Sequence, residues 1–165
     1  LGSVFILKDF ETIMNQPQLR SLFFYTPLIA AMAGNVGVQS SAIIVQGLAN
    51  DVVKGSLVQR LFKEVGLSLI NGFFLAIFLV LFGHFTGQEL VLSLTVASSM
   101  MGVIVMAALI GTFVPIVLEK RGIDPAIATG PFITTANDIF GIFLFFFMVT
   151  NLKTVAEIFP FIKSN

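Results

Sequence analysis

The chain has 165 residues, of which 56% are hydrophobic and 11% charged, with zero formal net charge and a mean hydropathy of +0.99. That balance excludes an ordinary soluble domain and, because the nine Lys and Arg residues are scattered rather than clustered, a nucleic-acid binder. With no Cys and a single His, at His84, thiolate or His-rich metal sites, disulfide frameworks and cysteine nucleophiles are excluded as well.

The chain opens at Leu1 without Met, and Leu1 to Leu7 reads as the tail of an apolar segment rather than a signal peptide, which needs a basic start. On this reading the sequence is a piece of something longer. Four long apolar stretches follow: Ser21 to Ala49, Val65 to Phe85, Leu90 to Leu118 and Ala126 to Val149. Each is long enough to cross about 30 Å of hydrocarbon as a helix. Strands of alternating polarity, which a β-barrel needs, are not found, so the expectation is an all-α, polytopic transmembrane bundle forming one domain over residues 1–165.

Orientation follows from the basic residues. The Ala49 to Glu64 connection holds Lys54, Arg60 and Lys63, and the Glu119 to Asp124 connection holds Lys120 and Arg121, whereas His84 to Glu89 has no Lys or Arg. The positive-inside rule puts the first two in the cytoplasm and the third outside, with Asn165 outside too. Pro27, Pro115 and Pro131 sit in or beside the spans, where each removes a backbone donor and frees a carbonyl; the readings are a tolerated kink or a carbonyl facing a hydrated cavity.

Of the nine acidic residues, only Asp138 sits well inside one of these spans, in Thr134-Thr135-Ala136-Asn137-Asp138-Ile139-Phe140, and no Lys or Arg shares a span with it. An ionised carboxylate there needs water or a cation, and the alternative is a protonated acid bonded to a neighbouring helix. At 100° per residue, Gly130, Thr134, Asn137, Asp138 and Gly141 fall on one small, polar face, while Phe132, Phe140, Phe143, Phe146 and Phe147 point the opposite way and Phe145 breaks the pattern. The first span carries a second polar cluster, Gly34-Asn35-Val36-Gly37-Val38-Gln39-Ser40-Ser41, in which Asn35 and Gln39 share a face and Ala33, Gly37 and Ser41 form a small-residue ridge. Pore lining and helix packing both fit that cluster.

Oxygen donors without Cys or usable His suit Mg²⁺, Ca²⁺ or Mn²⁺ rather than Cu or Zn. A sparse site holding a hydrated ion through its outer shell is reasonable for Mg²⁺, which sheds water reluctantly, whereas Ca²⁺ usually wants more direct carboxylates. One Asp per chain is thin for a divalent charge, and a symmetric homodimer pairing two Asp138 side chains would supply both the charge and a closed path. An intramembrane aspartyl protease needs two carboxylates sharing a proton and the chain supplies one. A passive membrane anchor has no use for the polar faces.

Pro27 followed by Gly34-Asn35-Val36-Gly37-Val38-Gln39-Ser40 resembles the P-x6-G-N-x-G-x-Q-S pattern of the transmembrane domain of the MgtE family of magnesium channels, itself related to eukaryotic magnesium carriers. Asp124-Pro125-Ala126 through Gly130-Pro131-Phe132 to Asn137-Asp138 is similar to that family's final span, and Phe62-Lys63-Glu64-Val65-Gly66 to the start of an intervening one. The resemblance implies a bacterial inner-membrane, multi-pass homodimer that passes Mg²⁺ through a pore between protomers, with residues 1–20 as the end of a largely absent first helix and an external loop. It also implies an ion site made by Asp138 and the Thr134 backbone carbonyl, in a pore lined by Gly34, Asn35, Gly37, Gln39, Gly130, Asn137 and Gly141. Some members carry Asn where Gly130 stands. The cytoplasmic regulatory domains of the full-length family proteins are absent from this sequence. Glu64 reads as an acid near the pore entrance or one stabilised by the dipole of a helix start.

Overall fold

A computed structural model describes residues 21–51, 56–128 and 130–158. The expected end of a first helix and its loop, residues 1–20, lie outside the described residues. The elements are a short 3-10 turn at Ser21–Tyr25, α1 at Thr26–Ala49, α2 at Leu57–Phe85, α3 at Leu90–Lys120, a second 3-10 turn at Pro125–Ala128, and α4 at Pro131–Ile158. All four α-helices are long and apolar enough to cross a membrane. Among the described residues there is no strand.

The helix ends follow from local chemistry. Pro27 and Pro131 stand in the first turns of α1 and α4, where a missing N–H removes no ladder bond, so neither kinks a helix. Pro115 alone of the three lies inside a helix, buried in α3. α2 begins eight residues before the apolar stretch that marks its span, because the Ser56 side chain accepts the Gln59 amide at 3.2 Å and caps the helix. At its other end the Thr86 and Gly87 amides close back on the Phe82 and His84 carbonyls, and Gly87 takes φ +71° to release the chain into α3. The last apolar stretch does not form one helix from Ala126: the 3-10 turn ends, Gly130 adopts φ +71°, and α4 starts at Pro131.

α3 packs against all three other helices, and α1 and α4 also pack on each other, whereas α2 packs chiefly on α3. The core is accordingly centred on α3, where Val96, Met100, Val103, Ile104 and Ala107 are buried and meet Ile29 and Ala33 of α1 and Ile142 of α4. Close approach rests on glycine rather than on bulky knobs. A Cβ on Gly111 of α3 would stand 3.1 Å from the Gly37 Cα and nearer still to the Gly37 carbonyl oxygen, and one on Gly72 of α2 would stand 3.0 Å from Met101 Cγ. α2 turns most of its apolar side chains outward, among them Phe73, Phe74 and Phe78, as suits a helix bathed in lipid.

The aromatic side of α4 needs one correction. Phe132, Phe140, Phe143 and Phe147 are exposed as expected, but Phe146 is fully buried beside Phe145 and meets Phe23 with ring centroids 4.9 Å apart. Near its far end α4 meets the turn at Ser21–Tyr25 through Phe23, and Phe146 is drawn inward into the cluster that holds Leu22.

Candidate ion-binding site

The site is built at the start of α4 where it crosses α1. The Gly130 carbonyl accepts the Thr134 amide at 3.0 Å and the Thr134 hydroxyl at 2.9 Å, which occupies both lone pairs of that oxygen. Gly130 therefore shapes the helix entry by its φ and precedes the helical face rather than belonging to it.

Two turns further on, Asp138 is half-buried. A Cβ on Gly34 would lie 3.2 Å from Asp138 Oδ1 and 3.2 Å from Thr134 Cγ2, so the carboxylate runs along bare α1 backbone. Asp138 makes no side-chain hydrogen bond or ion pair among the described residues. The Thr134 carbonyl, one turn before it, gives one lone pair to the helix ladder and keeps a second. Gly34, Thr134 and Asp138 are thus brought together across the α1–α4 crossing.

The rest of the polar cluster on α1 divides. Ala33, Gly37 and Ser41 are buried, which is the packing reading of that ridge, while Asn35 and Gln39 are exposed on the open side of the same helix. Gly141, a turn beyond Asp138, is buried where a Cβ would come 2.8 Å from that of Ala33 and 3.3 Å from Val103 Cγ1. Asn137 is 1% exposed and faces Gly37; a Cβ on that glycine would fall 2.8 Å from Asn137 Cγ. Among the described residues, both polar atoms of the Asn137 amide lack a hydrogen-bond partner.

Glu64 has a different position from the one read in the sequence. It is the eighth residue of α2, beyond the first turn in which a helix dipole acts, and it accepts the Ser40 hydroxyl of α1 at 2.6 Å. It therefore joins Asp138 as a carboxylate within a membrane-capable helix, and it lines a cavity of about 220 Å³ together with Ile44, Gln59, Lys63 and Thr112. The sequence carried a signal for this: Ser56-Leu57-Val58-Gln59 is a capping pattern that starts α2 early and moves Glu64 inside it.

The sequence profile of the MgtE family, described as a divalent cation transporter, matches residues 26–148, a stretch that takes in the α1–α4 crossing and Asp138. The chain belongs to the MgtE family. It is similar to the MgtE magnesium transporter of Bacillus subtilis, with 33% identity over 146 residues that cover 88% of this chain and 32% of that protein. The MgtE magnesium transporters of Enterococcus faecalis and Thermus thermophilus are 30% identical over 147 residues and 31% identical over 141 residues. They cover 88% and 85% of this chain, and 32% and 31% of the respective relatives. The chain spans about a third of the length of the curated relatives it matches. As an MgtE-family chain with four membrane-capable helices it is a multi-pass membrane protein, and these relatives are named as transporters.

Proposed function

We propose that this chain is the ion-conducting membrane domain of a magnesium transporter, in which Asp138 holds Mg²⁺ as the transported ion. The observation that carries the reading is a half-buried carboxylate lying against glycine backbone in a membrane-capable helix, within the segment matched by a divalent cation transporter family. Its donor set is oxygen only: the Asp138 carboxylate and the free lone pair of the Thr134 carbonyl. Hard cations prefer such donors, and Mg²⁺ retains most of its water, so few direct protein ligands suffice.

Two chains related by a two-fold axis would bring two Asp138 side chains to one ion and enclose the path, with Asn35 and Gln39 on the open side of α1 available to hydrate it. The basic connections after α1 and α3 lie in the cytoplasm, and regulatory domains of a longer protein, where present, meet the bundle from that side. The test is Mg²⁺ flux into proteoliposomes for wild type, Asp138→Ala and Asp138→Asn, with Mn²⁺, Co²⁺ and Ca²⁺ as competing ions. Flux lost in both variants with folding intact supports the reading. Flux that survives both makes Asp138 a neutral structural donor, and preference for a competing ion reassigns the cargo.

A further inference from the structure

We infer that Asn137 is a positioning residue: by filling the notch over Gly37 it sets how closely α4 approaches α1 and so holds the neighbouring Asp138 carboxylate against Gly34. The inference rests on the proposed role of Asp138 and adds a part that the ion itself does not touch.

Three observations combine. Asn137 is 1% exposed, enclosed between α1 and α4, and therefore does not present its side chain to a water-filled path. Neither polar atom of its amide has a partner among the described residues, so no hydrogen bond fixes the side chain and its seat is set by shape. Its reach into Gly37 is possible only because that residue has no Cβ, while one turn earlier on α1 Gly34 meets Asp138 Oδ1 in the same manner. Consecutive residues of α4 thus seat on two glycines of one α1 face. Gly37 fixes the separation at the level of Asn137, and Gly34 receives the carboxylate at the separation so fixed. The contact is steric, and the shape of the side chain matters more than its hydrogen-bonding capacity.

The test uses the full protein carrying this domain, in proteoliposomes, with initial Mg²⁺ uptake measured over a range of Mg²⁺ concentrations and circular-dichroism melts run in parallel. Asn137→Ala is expected to raise the half-saturating Mg²⁺ concentration about threefold or more while maximal uptake stays within about twofold. Gly37→Ala places a methyl on the amide and is expected to weaken half-saturation similarly. Asn137→Ala with Gly37→Ala transfers the lost volume to the other helix, leaving a 3.1 Å contact to Ile133 Cγ2, and is expected to return half-saturation toward wild type. Asn137→Leu keeps the forked outline without the amide, at a larger volume that the notch over Gly37 must admit, and is expected to lie nearer wild type than Asn137→Ala.

An unchanged half-saturation in Asn137→Ala overturns the inference. So does a double variant no better than Asn137→Ala, or an Asn137→Leu as weak as Asn137→Ala, because the amide would then act through its chemistry. Should Asn137→Ala not fold, Asn137→Leu and the double variant decide the matter. Asp138→Asn runs alongside: uptake that does not depend on Asp138 refutes the proposed function, whereas Asp138-dependent uptake that ignores residue 137 refutes only this inference.

Discussion

Replacing Gly111 by Ala is the sharpest test of how α1, α3 and α4 are held together. The added Cβ meets Gly37 backbone, with Cα and carbonyl carbon both at 3.1 Å and the carbonyl oxygen nearer still. Carbon pairs rest at about 3.5–4.0 Å, so the helices must separate by roughly half an ångström or more, and backbone has no rotamer by which to yield. Overpacking of this kind is destabilising by about 1–3 kcal/mol, against which the better helix propensity of Ala returns up to about 1 kcal/mol. With the full propensity return, the net expectation is a loss of up to about 2 kcal/mol. Gly66→Ala is the control, because nothing lies within 4 Å of a Cβ there and only the propensity gain should remain. Circular-dichroism melts of both variants in the same detergent give the comparison. If Gly111→Ala melts at or above Gly66→Ala, the α1–α3 contact is not the backbone-to-backbone approach described above, and the account of the core is wrong.

Ser40→Ala removes the hydroxyl that Glu64 accepts and leaves a half-buried carboxylate one partner short, with an expected loss of about 1–3 kcal/mol in the same melts; Glu64→Gln combined with it should recover part of that loss. Gly130→Ala forces a Cβ into left-handed backbone at φ +71°, a penalty of about 1–2 kcal/mol, and Asn at this position should be tolerated better than Ala; hydrogen exchange in the first turn of α4 reads the effect directly. Ser56→Ala should release the cap of α2 at a cost of about 1 kcal/mol, seen as faster amide exchange at Gln59 and Arg60 with Mg²⁺ flux unchanged.

The four helices and the unusual placement of Asp138 were legible because lipid imposes a simple rule: long apolar runs are helical, and an acid inside one stands out. What lipid does not mark is where a helix ends. The apolar run beginning at Val65 records the hydrocarbon boundary, while α2 continues past it to a cap at Ser56, so Glu64 was read as a helix start when it lies two turns inside. Facing was also hard to read, since neighbouring helices and acyl chains are equally apolar. Phe146 and Phe147 are adjacent and chemically identical, yet one is buried and the other half exposed. The polar residues mislead in the opposite sense: Asn137 belongs to the same polar face as Asp138 by periodicity, but the glycine opposite it admits the whole side chain into the helix contact.

Gly37 is confined on two sides, by Asn137 where its own side chain would be and by Gly111 at its carbonyl. Over descent, such a position is frozen by its neighbours whether or not the cargo ever meets it. Drift there requires residues 37 and 137 to change as a pair, through an intermediate that either crowds the crossing or leaves it hollow. Invariance of this glycine among relatives would accordingly report the geometry of two helices rather than the identity of a cargo.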